Sequence, residues 1–221
     1  MSQADKILAR ATEAVGNIDK SIIPNFMFKW AKGIAIVNFT EVGFIFSLND
    51  GDGIVIKKNE DGTWGAPSFL EYDGAGCGAI FGKGKKTIVI FALDSYSLNQ
   101  LTADVKYQIG AQVGAAAGKY GTQYEANANA GGHGANIDLT GAQYYCLSEG
   151  ALLDVGIQNN FITTRNDINE AFYGKKVPAK DIVNKPGAVE LPQNEALEKF
   201  RTELAALSAK KTKEADEKAG K

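Results

Sequence analysis

The sequence predicts an α+β fold with a largely antiparallel β-sheet or barrel-like core and flanking helices. Between residues 31 and 92, short runs of β-branched and aromatic residues alternate with segments rich in Asn, Asp and Gly. Such segments are typical of hairpin turns, because these residues tolerate positive φ angles. Apolar residues also recur at helical spacing near both ends of the chain, in residues 7–18 and 197–207, which predicts helices that flank the sheet.

The composition is that of a globular protein with little net charge. The 221 residues are 44% hydrophobic, which is enough to build one core with extensions. A net charge of −2 argues against a general nucleic-acid binder, because binding to phosphates requires a basic excess. Cys77 and Cys146 lack ligand-type spacing, and we expect both to be reduced. Because no secretory signal or run of ~20 apolar residues is present, we expect a cytoplasmic protein that is peripheral to a membrane or the cytoskeleton.

Residues 1–20 predict an N-terminal amphipathic helix. Ser2 is placed to cap it, and Asp5 lies in its first turn, where a negative charge is favourable. One face carries the apolar side chains of Ile7, Leu8, Ala11, Ala14, Val15 and Ile18. Two interpretations are open: this face packs on the sheet, or it lies on a membrane surface. The lack of an aromatic residue and of net basic charge favours packing on the sheet.

A dense apolar cluster follows in residues 26–30, beside Lys29 and Lys32. Aromatic rings next to lysines suit an anchor at the level of lipid headgroups, where lysines reach the phosphates. A buried helix end that leads into the first strand explains the same residues. The sequence leaves both interpretations open.

Strands are predicted over residues 34–37, 43–46 and 54–56, with turns at residues 49–53 and 59–62. The first turn also contains Asn49, Asp50 and Asp52, which are residue types found in calcium loops. An EF-hand loop needs ligands at positions 1, 3 and 5. Gly51 or Ile54 occupies one of these positions in either frame, so no metal site is predicted.

Residues 74–84 are rich in glycine and formally match a dinucleotide fingerprint. That fingerprint requires a strand that feeds a helix, whereas residues 87–91 read as another strand. The segment therefore predicts close backbone approach rather than a cofactor site. Lys83, Lys85 and Lys86 form a compact basic patch, which is either a solvated hairpin or a set of candidate phosphate contacts.

The second half of the chain predicts further short elements and no catalytic residue. We expect a helix over residues 95–104 and a strand over 105–113, where apolar and polar residues alternate. Further strands are predicted at 137–139, 143–147, 152–157 and 161–164. His133, the one histidine, lies in a segment of small residues and is either an exposed loop residue or a base or ligand. No motif for nucleophilic catalysis or for a cofactor is present.

The predicted domain organisation has four parts. The helix of residues 1–20 precedes a β-rich domain over 21–174, which ends with a short helix closed by Tyr173 and Gly174. Residues 175–193 contain three prolines and predict a linker. Residues 194–221 predict a helix capped by Asn194 and a charged, frayed tail from residue 210. The spacing of Leu197, Phe200, Leu204 and Leu207 predicts a seam that packs on the domain or on a partner.

The order of these motifs resembles the SYLF domain family, a Ysc84-type actin- and lipid-binding module. The resemblance covers residues 22–174. It rests on Ile23-Pro24 ahead of the Ala-Lys-Gly motif at 31–33, on the Asp-Gly-Thr-Trp-Gly-Ala-Pro-Ser segment at 61–68 and on the closing Tyr173-Gly174. The sequence departs from the family pattern at three positions, which are Lys119, Thr122 and Ala151.

The resemblance implies a non-enzymatic module that binds anionic phospholipid, plausibly a phosphoinositide, at the membrane periphery. The residues that would contact lipid are Lys6, Ile7, Leu8, Arg10, Lys20, Phe26, Lys29 and Lys32. The alternative is a cytoskeletal or structural interaction protein, which binds actin or another filament or self-assembles into a homo-oligomer through its terminal helices. No nucleic-acid partner, cofactor or metal is expected.

Overall fold

The computed structural model describes residues 1–21, 23–103, 107–113, 121–123 and 142–219. Side chains are described in these ranges except at 78–81, 107–113, 121–123 and 148–159. The helices are α1 (Gln3–Asp19), α2 (Phe26–Trp30), α3 (Ser95–Leu101), α4 (Asn166–Tyr173), α5 (Ala179–Asn184) and α6 (Glu195–Ala219). The strands are β1 (Gly33–Gly43), β2 (Phe46–Lys57), β3 (Ser68–Ala92), β4 (Tyr107–Val113), β5 (Gly121–Gln123) and β6 (Ala142–Thr164).

These strands form one antiparallel sheet with helices packed on it, so the predicted α+β class is confirmed. The order is β1-β2-β3-β6-β4, and β5 pairs with β6. The long strand β3 pairs with β2 through residues 68–77 and with β1 through residues 82–92. Among the described strands the sheet is not closed, so of the two predicted cores the open sheet is the one observed there.

The first hairpin turns at a different place from the predicted one. Strand β1 runs to Gly43, the chain turns through Phe44 and Ile45, and β2 then continues without interruption past residues 49–53. Gly51 lies opposite Phe39 in the β1–β2 register, and a Cβ atom there would lie 2.3 Å from the backbone oxygen of Asn38. The glycine in this segment therefore permits close approach of two strands rather than a turn.

The second predicted turn is confirmed. The amide of Gly62 donates to the carbonyl of Asn59 at 3.0 Å, and Gly62 has a φ of 83°, which favours glycine. The carboxylate of Asp61 accepts from the amide of Thr63 at 2.9 Å. Hydrogen bonds from Thr63 lower the pKa of Asp61.

Several predicted short strands are parts of longer ones. The predicted strands at 143–147, 152–157 and 161–164 belong to the 23-residue β6, and the glycine-rich segment lies inside the 25-residue β3. Strand β6 pairs with β3 from Ala142 opposite Ala92 to Thr164 opposite Leu70. The predicted strand at 137–139 and the segment with His133 lie outside the described residues.

Alternating residues of β1 pack on the two sides of the sheet. Ile34 and Ile36 belong to the core beneath α1, α2 and α6. Ala35 and Val37 belong to a second cluster, with Leu98 of α3 and Val183 of α5. Because both faces are covered at this end of the sheet, the strand is apolar throughout rather than alternating with polar residues.

The region after Gly174 is more ordered than predicted. Helix α5 lies within the expected linker, and its Ile182 and Val183 are buried. Helix α6 continues to Ala219, so the residues from 210 to 219 are helical, contrary to the predicted frayed tail. The predicted seam is buried, and α6 packs on α1 and α2.

Candidate functional site

Helix α1 is fixed in place by its cap and its apolar face. The Ser2 hydroxyl accepts from the amide of Asp5 at 3.1 Å, and the Asp5 carboxylate accepts from the amide of Ser2 at 2.8 Å. These bonds form a capping box, which satisfies backbone donors at the start of the helix. A hydrogen bond from Asn194 at 2.7 Å is the main reason that the pKa of Asp5 is lowered.

The apolar face of α1 is part of the core. Ile7 and Leu8 are both 0% exposed, and they pack with the seam of α6 and the sheet. The interpretation in which this face packs on the sheet is therefore the one that the structure adopts. In this arrangement neither Ile7 nor Leu8 reaches a lipid surface.

The cationic residues of α1 have different surroundings. Lys6 and Lys20 are exposed, and Lys20 forms the C-cap of the helix. Arg10 is paired with Asp52 of β2. Burial raises the pKa of the Asp52 carboxyl, and Arg10 partly opposes this effect. Arg10 therefore joins α1 to the sheet.

Helix α6 holds α1 and α2 by polar contacts at their ends. Lys210 donates to both carboxylate oxygens of Asp19 at 2.8 and 2.9 Å, and this contact is the main reason that the pKa of Asp19 is lowered. Asn25 donates to Glu214 at 2.7 Å. Arg201 donates to the carbonyl oxygen of Trp64 at 2.8 Å. These contacts explain why the C-terminal segment remains helical.

Helix α2 presents an aromatic pair beside lysines, which we call the α2 patch (Phe26, Lys29, Trp30 and Lys32). The ring centroids of Phe26 and Trp30 are 5.1 Å apart, and both side chains are exposed. Lys29 contacts Asp216 of α6 at 2.5 Å, and Lys32 is exposed. Met27 and Phe28 of the same helix are buried, so the two sequence interpretations of this cluster each describe one of its faces.

The basic patch of β3 is divided by the alternation of the strand. Lys83 and Lys85 are exposed, whereas Lys86 is buried. The ammonium of Lys86 lies 2.6 Å from the carboxylate of Glu41 of β1, and both side chains are at most 1% exposed. Lys86 is therefore a structural partner of Glu41 and does not face a surface phosphate. Lys83 and Lys85 stay candidates.

The turn between β1 and β2 carries a surface that the sequence analysis did not identify. Five large apolar side chains are between 52% and 75% exposed. We call this set the apolar tip: Val42, Phe44, Ile45, Phe46 and Leu48. The sequence offered one weak signal, the glycine at position 43 immediately before the turn. The strand predicted over residues 43–46 is instead the end of β1, a turn and the start of β2.

A polar cleft of ≈ 350 Å³ lies between α1 and the sheet. Its lining includes Arg10, Asp52, Lys85 and Arg165. Arg165 is paired with Asp167 at 2.7 Å, a contact that raises the pKa of Arg165 and lowers that of Asp167. The cleft thus mixes cations and carboxylates, several of them in ion pairs, so it does not form a strongly cationic site for an anion.

Other predicted features have the following positions. Residues 74–84 lie inside β3, so the strand-to-helix context of a dinucleotide site is absent from that described segment. Among the described residues, no group of three or more His, Cys, Asp or Glu side chains is arranged to hold a metal. Cys77 and Cys146 are not joined by a disulfide. Thr122 lies in β5 and Ala151 in β6, and Lys119 lies outside the described residues.

No helix in the described part of the chain is both long and apolar enough to cross a membrane. The α2 patch combines exposed large apolar side chains with lysines, and the apolar tip carries five exposed large apolar side chains.

Comparison with known proteins identifies a family whose model matches this chain. Residues 73–207 match the model described as "Ysc84: Las17-binding protein actin regulator". Protein YSC84 of Saccharomyces cerevisiae is 32% identical over 172 residues, which cover 77% of this chain and 35% of that protein. LAS seventeen-binding protein 3 of the same yeast is 32% identical over 164 residues, covering 74% of this chain and 35% of that protein.

A mammalian relative aligns over almost the whole chain. The SH3 domain-containing YSC84-like protein 1 of Mus musculus is 28% identical over 225 residues, which cover 98% of this chain and 64% of that protein. The chain therefore spans about a third of the length of the yeast relatives and just under two thirds of the mouse relative.

Proposed function

Because this chain belongs to the Ysc84 (SYLF) family of actin regulators, we propose that it is a non-enzymatic binding module that attaches peripherally to anionic lipid. Three arguments support the proposal: the family resemblance, the exposed α2 patch, and the absence of a catalytic constellation from the sequence. The membrane contact is made by the α2 patch, with Lys6 and Lys20 as additional cations. The lipid class that we propose is a phosphoinositide.

The observation that carries this proposal is the exposure of Phe26 and Trp30 next to Lys29 and Lys32. Aromatic side chains favour the interface between headgroups and acyl chains, and lysines extend toward the phosphates. Met27 and Phe28 anchor the same short helix in the core. The exposed rings are therefore held on a rigid element.

The electrostatic contribution of this patch is small. Each lysine near an anionic surface contributes about 1 kcal/mol, and Asp216 competes for Lys29. Two lysines therefore account for roughly 2 kcal/mol at most. Binding should be weak and sensitive to salt unless several copies act together, since linked sites raise the overall affinity.

In the proposed function, helix α1 stays packed on the core. Insertion of Ile7 and Leu8 into lipid would require the helix to leave the core, which would expose these side chains to water. Fully burying a large apolar side chain is worth about 1.5–3 kcal/mol, so undocking α1 would cost several kcal/mol. While α1 stays docked, Lys6, Lys20 and Arg10 act on the membrane through charge alone. Of these three residues, Arg10 is already paired with Asp52.

Tryptophan fluorescence tests the proposal directly. Trp30 is 59% exposed, whereas Trp64 is 2% exposed. Transfer of Trp30 into lipid should therefore shift its emission to shorter wavelength while Trp64 changes little. We expect the shift with phosphatidylcholine vesicles that contain phosphatidylserine or a phosphoinositide, and a smaller shift at high salt. Vesicles of the two compositions at equal total charge separate general charge attraction from recognition of a phosphoinositide.

Matched variants complete the test. Lys32→Glu should reduce co-sedimentation with anionic vesicles, and Trp30→Phe should remove the fluorescence shift. Lys175→Glu makes the same charge change at another exposed lysine and should have a smaller effect. A protein that stays in the supernatant with anionic vesicles at low salt would contradict the proposed function.

A second candidate function is binding to an actin filament or an actin-regulatory protein. The family description and the names of the yeast relatives favour it. In this case the helical face formed by α1 and α6 would be the contact surface, or two copies would pack through it. Co-pelleting with filamentous actin in the absence of lipid, together with the mass in solution, separates this function from lipid binding.

A further inference from the structure

The apolar tip is exposed on a strand pair whose opposite face is buried. Val42, Phe46 and Leu48 are 52%, 75% and 72% exposed, whereas the intervening Ser47 and Asn49 are buried. This is the alternation of a sheet with one inner and one outer face. The outer face at this end carries large apolar side chains, where a water-facing sheet normally carries polar ones.

Two lysines lie behind the tip in register with it. Val42 is opposite Leu48 on β2 and opposite Lys83 on β3. Thr40 is opposite Lys85. Since a strand rises about 3.4 Å per residue, these two rows lie about 7 and 14 Å behind the end of the hairpin.

We propose that the apolar tip inserts into the leaflet that faces it in an anionic bilayer, with Lys83 and Lys85 contacting headgroup phosphates. This inference rests on the proposed function, because it assumes the same kind of partner, an anionic bilayer. It adds a second contact at the other end of β1. Elements that lie in the membrane interface bury their apolar face about 5–10 Å deep. That depth submerges the turn and brings the row of Lys83 to the level of the headgroups.

The shape and charge of the tip favour a bilayer over a protein partner. A tight turn of exposed side chains is convex, and a fluid leaflet accommodates a convex apolar element without a preformed pocket. Lys85 shares its row with Asp50 and Asp73, so the net charge behind the tip is small. Apolar burial therefore supplies most of the binding, and we expect it to be less sensitive to salt than binding through the α2 patch.

The α2 patch and the apolar tip lie at opposite ends of the 11-residue strand β1, which is about 35 Å long. One flat bilayer is therefore contacted through one end at a time. A chain that uses both ends joins two bilayers, and vesicle clustering measured by turbidity reports this arrangement.

A tryptophan placed in the tip tests the insertion. We would prepare Phe46→Trp together with Trp30→Phe in the full chain, so that Trp64, which is buried, is the other fluorophore. With vesicles of phosphatidylcholine and phosphatidylserine, we expect a shift of the emission to shorter wavelength and quenching by lipids with brominated acyl chains. Unchanged, unquenched emission from protein that pellets with the vesicles would overturn the inference.

Loss-of-binding variants give an independent measurement. Phe44→Ser with Phe46→Ser should weaken vesicle binding by about tenfold or more. Tyr96→Ser with Leu191→Ser, at exposed apolar positions elsewhere, should not. Circular dichroism and urea unfolding confirm that each variant is folded. Equal binding by folded tip and control variants would refute the inference.

Charge reversal tests the lysines behind the tip. Lys83→Glu and Lys85→Glu should each weaken binding by up to about 30-fold, because each reversal replaces an attractive charge of about 1 kcal/mol with a repulsive one. Lys175→Glu and Lys176→Glu, at two exposed residues distant in sequence, provide the matched single-variant controls. A wild-type mass in solution that corresponds to a dimer, and that Phe44→Ser with Phe46→Ser converts to a monomer, would instead assign the tip to self-association and overturn the inference.

The combined outcomes separate this inference from the proposed function. A shift in the fluorescence emission of Trp30 without a shift in that of the tip tryptophan leaves the α2 patch as the lipid contact and refutes insertion of the tip. A shift of the tip tryptophan without one of Trp30 supports insertion and removes the α2 patch from the proposed function. Shifts at both positions, with clustering of vesicles, support both contacts. No binding to anionic vesicles refutes both.

Discussion

Strand β1 ends in two contrasting environments. At its first end, Ile34 and Ile36 are at most 1% exposed, beneath α1, α2 and α6. At its other end, Val42 and Phe44 are 52% and 68% exposed. Both ends are apolar in sequence, so apolar composition alone does not distinguish a core from a contact surface. The difference is that helices cover one end of the strand, while the outer face of the other end is exposed.

The exposed end nevertheless has an ordered interior, and breaking it should give the largest loss of stability. Lys86→Met leaves the carboxylate of Glu41 buried without its ammonium partner at 2.6 Å. Removing one member of a buried pair costs about 3–5 kcal/mol, and we expect a loss of about 4 kcal/mol in the free energy of unfolding measured with urea. The double variant Glu41→Leu with Lys86→Met should recover most of it. A single variant that loses less than about 1 kcal/mol would contradict this account of the exposed end.

The stability of the chain should be nearly as sensitive to substitutions at the covered end. Leu204 is 0% exposed and lies in the seam of α6 that packs on the core. Leu204→Ala should reduce the free energy of unfolding by about 3 kcal/mol, because it removes buried methyl groups and leaves a cavity. Ala205→Ser, at a neighbouring exposed position of the same helix, is the control and should change stability by less than about 0.5 kcal/mol. Equal losses in the two variants would show that α6 does not cover this end.

Helix periodicity made the covered end predictable. The residues of the α1 face and of the α6 seam follow 3.6-residue spacing, a local pattern that depends on no distant strand. Cap residues such as Ser2 and Asn194 mark the starts of these helices for the same reason. The extension of α6 to Ala219 was not predictable, because contacts such as Lys210 with Asp19 join residues that are far apart in sequence.

The exposed end was not predictable, because its structure depends on register. The segment at 49–53 has the composition of a turn, yet it remains in β2 because Gly51 and Gly53 let β1 approach closely. Placing the turn there made the Gly-Phe-Ile-Phe run at 43–46 a strand of its own. Sequence alone does not specify which residues face each other across a pair of strands, and a shift in register exchanges the inner and outer faces.

The contact between α1 and α6 gives a smaller, pH-dependent effect at the covered end. Lys210 holds the pKa of Asp19 below its usual value of 3.8, so the unfolded chain takes up this proton first as the pH falls. The stabilisation is therefore complete above about pH 4 and is lost as the pH falls through the folded-state pKa. Asp19 is partly exposed, which limits the contribution to at most about 1 kcal/mol.

Asp19→Asn measures this contribution. The variant should be less stable than the wild type at pH 7, and the difference should shrink toward zero as the pH falls below 3.8 and through the folded-state pKa. Glu203→Gln, which removes a carboxylate at a position of α6 that is partly exposed, as Asp19 is, serves as the control. A difference between Asp19→Asn and the wild type that grows on acidification would have the opposite sign to the one expected.

The smallest effect on stability is expected at the apolar tip itself. Phe46 is 75% exposed, so Phe46→Ser removes little buried area and should change the free energy of unfolding by less than about 0.5 kcal/mol. Leu204→Ala, which removes fewer carbon atoms but at the covered end, should cost several times more. A loss of 2 kcal/mol or more in Phe46→Ser would mean that the tip packs in the folded chain. A small loss, combined with weaker vesicle binding, means instead that the phenyl ring serves contact rather than folding.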